Sequence, residues 1–202
     1  MANVKSPPGS LRAERAAVTR RRIAEAARGL FATRGYGATT LRDIAVAAEV
    51  AVQTVYAVFG SKASILRELR RGLVTDPTAD AAFGAAVAAS SPPEGLDLFA
   101  HSIRLRWETG HDIVAIHVEA ASTDATIRDE VETVLSGRRQ GIGRLARSLA
   151  TLEPSLDAGR VIAVIDALTL AEVYAELVVV HGWSADEYET WLADALRRLV
   201  LR

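Results

Sequence analysis

The chain has 202 residues, half of them hydrophobic, which suffices for one large domain or for a small domain joined to a medium one. It contains no cysteine, which excludes disulfides and thiolate metal sites and fits a reducing cytoplasm, and its first ten residues hold no apolar run that would indicate a secretory signal. The net charge of −1 conceals a division: residues 11–72 hold twelve Lys/Arg and five Asp/Glu, whereas residues 73–202 hold eleven and twenty, so only the first third suits a polyanionic partner.

The first predicted helix follows an N-terminal arm. Residues 1–18 contain a Ser-Pro-Pro-Gly-Ser run and then alternate Arg, Ala and Glu, which predicts a disordered basic arm that turns helical near its end. Residues 20–34 predict an amphipathic helix, and Gly35 ends it because a left-handed residue is commonly needed there. The apolar positions at helical spacing are Ile23, Ala27, Leu30 and Phe31.

Two short helical patterns follow with almost no linker between them. Thr40 and Asp43 fit a capping box, in which the hydroxyl accepts from the start of the helix and the carboxylate reaches back, so a helix is predicted over residues 41–48. Residues 49–51 form the turn, and residues 52–59 form the second helix. The apolar side chains expected to form their shared core are Leu41, Ile44, Ala45, Ala48, Val50, Val55 and Phe59.

A fourth helix completes the first domain. Gly60 ends the preceding helix and Ser61 caps the next one, whose buried stripe is Ile65, Leu66 and Leu69. Four helices therefore account for residues 19–73, and Asp76-Pro77-Thr78 marks a domain boundary.

Residues 79–202 predict helices alone, because no stretch shows the strict alternation of a half-buried strand. Pro92-Pro93 and Glu153-Pro154 separate helices, and Ser184-Ala185-Asp186-Glu187 is a second capping box. We therefore expect an all-α fold, with an N-terminal three-helix helix-turn-helix DNA-binding domain and a C-terminal helical ligand-binding and dimerisation domain. The predicted C-terminal helices are 79–89, 93–109, 111–122, 125–150, 156–181 and 185–201.

The second short helix has an outer face suited to DNA. In a helix-turn-helix, the N-terminal side chains of this helix meet base edges in the major groove. Gln53 can bond adenine in a bidentate fashion, and Val52 or Ala57 can touch a thymine methyl. The net charge of +7 over residues 11–72 favours this interpretation over a helical core with incidental polar residues. The side chains that can contact phosphates are Thr40, Thr54, Tyr56 and Lys62.

Several sequence motifs together resemble the TetR family of bacterial transcriptional regulators. They are Phe31-Ala32-Thr33-Arg34-Gly35-Tyr36, Thr39-Thr40-Leu41-Arg42-Asp43-Ile44-Ala45, Thr54-Val55-Tyr56, Phe59 and Ser61-Lys62. The resemblance is dense over residues 20–70, and the rest of the chain agrees in length and all-helical pattern. It implies a homodimeric repressor that binds a palindromic operator and releases it when a small-molecule effector enters the C-terminal domain. By the same likeness, Thr40, Tyr56 and Lys62 would contact phosphates, and residues 52, 53 and 57 would face bases.

Three positions depart from the family pattern. Glu49 stands where the family often has glycine, which costs about 1 kcal/mol if φ is positive there. Ala51 replaces a frequent serine cap, worth about 1 kcal/mol, and Val58 removes a phosphate contact that histidine or tyrosine would make. Three arginines near the start of the first helix can reach a phosphate or an adjacent minor groove, or simply be solvated: Arg20, Arg21 and Arg22.

The most apolar stretch lies within the predicted helix 156–181. Asp166, Glu172 and Glu176 interrupt it, and three carboxylates would be costly in lipid, so we expect a buried helix of a soluble protein rather than a membrane span. A helix that is apolar nearly all round needs cover on several sides. With the last helix, 185–201, it predicts a four-helix interface between two chains, or else a larger internal core.

Six polar or aromatic residues lie on C-terminal helices that we expect to pack together. Apolar walls with a few polar anchors suit a small-molecule site, although each residue alone also suits a satisfied core or surface group. We expect no cofactor and no metal ion, because the closest histidine pair is six residues apart and does not share a helix face. The candidate ligand-binding residues are Trp107, His111, His117, Glu119, Asp166 and Tyr174.

Other functions fit the sequence less well. An enzyme would need a nucleophile with a base, a metal set or a phosphate loop, and the chain has no G-x-S-x-G, P-loop or H-E-x-x-H motif. A helical ligand-binding dimer without DNA binding leaves the division of charge unexplained. Activation instead of repression stays open. The sequence thus predicts a cytoplasmic, ligand-responsive transcriptional regulator that is not an enzyme.

Overall fold

The computed structural model describes residues 8–201, with the side chains of residues 12–201. All regular elements within this range are helices, which confirms the predicted all-α class. The chain divides into two compact units between Arg71 and Gly72. Within the described range, no helix combines the length and the apolarity that crossing a membrane requires.

The first unit contains α1 (Pro8–Arg34), α2 (Leu41–Ala47), α3 (Val52–Val58) and most of α4 (Lys62–Val74). α1 begins earlier than predicted, so the structure corrects the disordered arm over residues 8–18, while residues 1–7 lie outside the described range. The reason is compositional: Ala, Arg and Glu favour helix, and a proline fits the first helical turn because its missing N–H has no partner to lose there.

The core of the first unit follows the predicted stripes. α1 packs against α2, and α2 packs against α3. Leu30, Leu41 and Leu69, which the pattern also predicted to face the core, are only partly buried. The buried apolar side chains that join these helices include Ile23, Ala27, Phe31, Ile44, Ala45, Ala48, Val55, Phe59, Ile65 and Leu66.

The second unit contains six further α-helices and one π-helix. α6 packs against α5, α7, α9 and α10, so it forms the middle of this unit. The elements are α5 (Pro77–Val87), α6 (Pro92–Thr123), α7 (Ala125–Leu152), α8 (Ala158–Leu168), α9 (Ala171–Tyr174), the π-helix (Ala175–Val180) and α10 (Ala185–Val200).

Two predicted helices of the second unit are one continuous helix. The sequence placed a break between residues 109 and 111, whereas α6 runs through Gly110. A Cβ at Gly110 would clash with the Leu73 side chain, so the glycine allows close packing there rather than ending the helix. A glycine inside a helix costs only about 1 kcal/mol, which the packing of a long helix readily offsets.

The predicted helix 156–181 is interrupted near its middle. α8 ends at Leu168, and Leu170 has an extended backbone with φ −71° and ψ 147°. The buried Thr169 explains the break, because its carbonyl oxygen accepts from the side chains of Trp107 and Arg138 instead of from a following helical N–H. The predicted continuous apolar helix is therefore divided into α8, α9 and the π-helix.

Candidate DNA interface and ligand cavity

α3 presents a polar and small-residue face to solvent. The side chains of Gln53, Tyr56 and Ala57 are exposed, and those of Val52 and Thr54 are partly buried. Tyr56 is 56% exposed although it is a large aromatic residue, whereas Val55 is fully buried in the helix core. This arrangement leaves all five predicted DNA-facing side chains of α3 at least partly accessible.

The turn between α2 and α3 is strained at Glu49. Its φ is 52°, in the left-handed region that disfavours a residue with a Cβ, and the Val50 N–H donates to the Ala45 carbonyl oxygen at 3.0 Å. Ala51 is the N-cap of α3 and supplies no side-chain hydrogen bond. Two of the departures from the family pattern thus have the structural consequences expected of them.

Arg22 supports this turn from α1. One of its guanidinium nitrogens, Nη2, donates to the Ala48 carbonyl oxygen at 2.7 Å and to a Glu49 carboxylate oxygen at 3.1 Å. A cation at the C-terminal end of a helix is favourable because unpaired carbonyl groups gather there. Arg22, considered for DNA contact from sequence, therefore stabilises the end of α2.

Arg20 also has an internal role. Its guanidinium donates to Glu68 through Nε and Nη2, at 3.1 and 3.2 Å, and to the Val58 carbonyl oxygen at 3.2 Å. It lies 4.5 Å from the centre of the Phe59 ring as well. Of the three arginines, the exposed Arg21 keeps the freest side chain for an external partner. Contacts between residues 48 positions apart leave no periodic pattern in the sequence.

The start of α2 is fixed by the predicted capping box. The Asp43 N–H donates to the Thr40 hydroxyl at 3.1 Å, and the Thr40 N–H donates to the Asp43 carboxylate at 2.9 Å. The Thr40 hydroxyl also donates to this carboxylate, and these bonds lower the pKa of Asp43. Thr40 is exposed, so its hydroxyl can reach an external group, and donation to a phosphate would replace its bond to the Asp43 carboxylate.

Lys62 stands at the first position of α4. Its ammonium donates to the Tyr36 carbonyl oxygen at 2.6 Å and lies 4.5 Å from the centre of the Tyr36 ring. The same nitrogen is 3.5 Å from the Gly37 carbonyl oxygen. These contacts hold a positive charge at a helix start, where backbone N–H groups also favour an anion.

The second unit contains a partly open cavity of about 500 Å³, a volume typical of small-molecule sites. The cavity lies among α5, α6 and α7, with the end of α4 and the residue after α8 completing its wall. Half of the lining residues are aliphatic or aromatic, and three are arginines. They are Leu73, Val74, Asp80, Phe83, Phe99, Ser102, Ile103, Arg106, Trp107, Val114, Thr133, Val134, Gly137, Arg138, Gly141, Ile142, Arg144 and Thr169.

The first unit resembles a known protein family in sequence. Residues 23–69 match the model of bacterial regulatory proteins of the tetR family. The N-terminal domain is a tetR-family domain. Its matched residues include α2, the turn, α3 and the first eight residues of α4, so the strained turn and exposed α3 face belong to the family's DNA-binding unit. No curated protein matches the chain by sequence.

Solved structures extend the likeness over nearly the whole chain. The fatty acid degradation regulator FadR of Bacillus halodurans matches with a TM-score of 0.69 and 18% identity, over 95% of this chain and 96% of that one. FadR of Bacillus subtilis in complex with stearoyl-CoA gives 0.67 and 17%, over 87% and 96%. NalD, the secondary repressor of the MexAB-OprM efflux pump of Pseudomonas aeruginosa, gives 0.68 and 22%, over 93% and 98%. At these identities the likeness shows the fold alone.

The six predicted ligand residues occupy different places within the second unit. Trp107 lines the cavity, and its indole N–H donates to the Thr169 carbonyl oxygen at 3.3 Å. Asp166 accepts a hydrogen bond from Arg138, which is a lining residue. Through this contact Asp166 fixes a guanidinium of the cavity wall.

The other four lie away from the lining of this cavity. The rings of His111 and Tyr174 are 5.2 Å apart, and burial raises the pKa of Tyr174. His117 is buried with Nδ1 2.9 Å from the Ile113 carbonyl oxygen, and Glu119 is exposed. Among residues 12–201, no group of three or more histidine, aspartate or glutamate side chains is arranged to hold a metal ion.

Sequence reasoning missed most of the cavity wall. The sequence did not single out Arg106, Arg138 or Arg144, although the structure brings them to one cavity. Gly137 and Gly141 gave a usable indication, because two glycines one helical turn apart are unfavourable inside a helix and require a reason.

Proposed function

We propose that the protein is a ligand-responsive transcriptional repressor that binds a palindromic operator as a homodimer. The observation that carries this proposal is the exposed polar face of α3, set by a tight turn within a tetR-family domain. Its surroundings carry a net charge of +7 over residues 11–72, which favours a polyanion. We assign base contacts to Val52, Gln53 and Ala57.

The proposed phosphate contacts lie around α3. They are Thr40, Thr54, Tyr56 and Lys62, whose hydroxyl and ammonium groups would fix the register of α3 in the major groove. Lys62 is held at the start of α4 by the Tyr36 carbonyl group, so its charge is positioned before DNA binds. Such preorganisation reduces the entropy lost on binding.

Exposed apolar side chains near the C-terminus support a dimer. Val179 and Val180 in the π-helix are 60% and 66% exposed, while Leu170 and Leu199 are each 43% exposed. Aliphatic groups in such positions suit a two-fold interface, and a dimer would place two α3 helices at half-sites about 34–36 Å apart. Val180→Glu should shift the dimer toward monomer in sedimentation, whereas Val118→Glu, at a 54% exposed valine on α6, should not.

The cavity supports release by an effector. Leu73 and Val74, the last residues of α4, belong to its wall, so a bound molecule would contact the end of the helix that begins at Lys62. A ligand that binds more tightly when the two α3 helices of the dimer are spaced wrongly for DNA would shift the population toward that form. FadR of Bacillus subtilis, whose structure holds stearoyl-CoA, has the same fold.

A gel-shift titration tests the proposal. Purified protein is titrated at low salt against the intergenic DNA next to its own gene, with a scrambled duplex of equal length as the control. We expect retardation of the intergenic DNA at a lower protein concentration than the scrambled duplex. Absence of retardation would contradict DNA binding, and increased transcription from a reporter promoter on expression of the protein would indicate an activator.

A further inference from the structure

The three arginines of the cavity have unequal partners. Arg106 donates to an Asp80 carboxylate oxygen and to the Leu73 carbonyl oxygen, each at 2.9 Å. Arg138 pairs with Asp166 and donates to the Thr169 hydroxyl at 2.7 Å. Both guanidiniums are therefore neutralised by a carboxylate and held in place.

Arg144 differs from the other two. Its guanidinium lies 5.6 Å from the centre of the Phe83 ring and makes no ion pair with any residue in the range 12–201. The side chain is exposed, so water solvates it at the mouth of the cavity. Since Asp80 and Asp166 balance the other two arginines, the wall retains a single positive charge, at Arg144.

Two glycines of α7 leave space on the cavity wall. A Cβ at Gly137 would meet nothing within 4 Å, and one at Gly141 would meet only the Phe83 ring at 3.7 Å. Neither glycine has a positive φ, so the backbone does not require them. Each is unfavourable relative to alanine inside a helix, and no internal packing accounts for the presence of glycine at these positions. Their effect is to widen the cavity.

The space beside these glycines is apolar. Phe83, Phe99, Trp107 and Ile142 contribute aromatic and aliphatic surface to the same cavity. Such a wall favours a hydrocarbon body, because the removal of apolar surface from water is favourable. A cationic amphiphile would be repelled by the charge of Arg144, and a neutral one would leave that charge to water alone.

We propose that the cavity binds an apolar molecule with one anionic head group, whose hydrocarbon body lies along Gly137 and Gly141 and whose head group pairs with Arg144. A carboxylate or a phosphate ester would both satisfy the guanidinium, since each accepts two parallel hydrogen bonds. The inference deepens the proposed function by naming the chemical class of the effector.

Calorimetric titration of the full chain with ligands of one chain length tests the head group. The probes are myristate, tetradecyl phosphate, 1-tetradecanol and tetradecyltrimethylammonium, each below its micelle concentration. We expect the better of the two anions to bind about tenfold tighter than the alcohol, as one charge-assisted hydrogen bond provides. The comparison of myristate with the phosphate distinguishes the two anionic groups. Equal binding of the alcohol, or tighter binding of the cation, would overturn the proposal.

Two arginine variants locate the charge. Arg144→Gln should abolish the preference for the anion over the alcohol while retaining binding of the alcohol. Arg147→Gln changes an exposed arginine on the same helix that does not line the cavity, so it should keep the full preference. A preference that survives in Arg144→Gln, or that disappears in Arg147→Gln, would contradict the assignment.

Glycine variants test the position of the hydrocarbon body. Gly137→Leu should weaken myristate binding at least tenfold by filling the wall, whereas Gly84→Leu, at an exposed glycine of α5 outside the cavity, should not. Thermal unfolding monitors the fold of each variant. If Gly137→Leu does not fold, the double variant Gly137→Ala/Gly141→Ala replaces it and should weaken myristate more than decanoate. Unchanged myristate binding in the folded variant would overturn the placement.

Gel shifts in parallel separate this inference from the proposed function. If the protein retards its operator and none of the four probes binds, the ligand class is wrong and the DNA-binding proposal stands. If an anion binds as expected without changing DNA affinity, the ligand class stands and effector release is wrong.

Discussion

Arg22 on α1 pairs with Glu49 in the turn between α2 and α3, with a guanidinium nitrogen 3.1 Å from a carboxylate oxygen. The pair joins a helix-supporting arginine to the one non-glycine residue with positive φ in the described range, where φ is 52°. The Glu49 side chain is 85% exposed, so the ion pair itself contributes little. The strained backbone and the Ala48 carbonyl bond are the larger effects.

Glu49→Gly should therefore stabilise the protein. Relief of the left-handed strain is worth about 1–2 kcal/mol, and the greater freedom of glycine in the unfolded chain offsets about 0.5–1 kcal/mol of it. We expect a net gain of about 0.5–1 kcal/mol, seen as a rise of a few degrees in the thermal midpoint.

The control for this prediction is Glu49→Ala. It removes the same carboxylate but keeps a Cβ at positive φ, so it should give no comparable gain. A glycine variant that is no more stable than the alanine variant would contradict the strain argument.

Tyr56→Phe should weaken DNA binding without altering the fold. The hydroxyl belongs to a 56% exposed side chain, and its loss removes one proposed phosphate contact. We expect DNA affinity to fall about threefold to tenfold for every sequence. Because no cation is lost, the dependence of affinity on salt should keep its slope. Gel shifts over a salt series measure both quantities, and a loss confined to one operator sequence would contradict a phosphate role.

Gln53→Ala should change the sequence preference of DNA binding rather than the affinity for every sequence. An amide that bonds adenine contributes about 1–3 kcal/mol of discrimination at one base pair. We expect the variant to bind the operator more weakly and to tolerate all four bases at that position, while non-specific affinity stays unchanged. Binding selections from a randomised operator library measure the preference. An unchanged preference at all positions would exclude Gln53 from base contact.

The sequence predicted what local spacing determines. The capping boxes at Thr40 and Ser184 were both visible, because each depends on residues three positions apart, and both are confirmed. The strain at Glu49 also followed from one position in a turn of known shape. Each of these features depends on residues that are close together in the sequence.

Contacts between distant residues could not be predicted in this way. Arg138 reaches Thr169 from 31 positions away, and this bond belongs to the break between α8 and α9 that the apolar pattern concealed. The cavity is likewise assembled from four helices, so its wall has no periodic pattern, and of the predicted pocket residues only Trp107 lies on it. The partner of Arg22 could not be predicted either, because tertiary packing brings the Ala48 carbonyl group next to it.

Tyr188→Phe should leave the protein as stable as before or make it more stable. The side chain is fully buried, and its hydroxyl has no hydrogen-bond partner among residues 12–201. Burial raises the pKa of this phenol, as expected for a group without a stabilising donor. Phenylalanine would keep the ring contact with Tyr174, whose centre is 4.8 Å away.

The expected size follows from the cost of a buried hydroxyl. An unpaired polar group costs about 1–3 kcal/mol, so its removal should raise the thermal midpoint by a few degrees or leave it unchanged. Tyr188→Leu is the comparison, because it removes the aromatic packing as well and should lower the midpoint. If Tyr188→Phe lowers it by several degrees, the hydroxyl is hydrogen-bonded in solution.

The Glu189 carboxylate should make stability depend on pH. Burial acts to raise its pKa, but hydrogen bonds from Arg104 and His101 outweigh burial and hold the pKa below the ordinary 4.5. Arg104 Nε donates to Glu189 at 2.9 Å, and His101 Nδ1 lies 3.0 Å away. A carboxyl whose pKa is lower in the folded state binds protons more readily in the unfolded state.

The stabilisation from Glu189 is therefore present above pH 4.5 and is lost as the pH falls through the lower, folded-state pKa. Glu189→Gln removes the charge, so the wild-type protein should exceed the variant in thermal midpoint at pH 6, and the difference should shrink as the pH is lowered below 4.5. Glu172→Gln, at an exposed carboxylate of α9, should show a smaller difference at pH 6. A difference between wild type and Glu189→Gln that stays constant over this range would show that the folded-state pKa of Glu189 is not lowered, because only a shifted group links proton binding to unfolding.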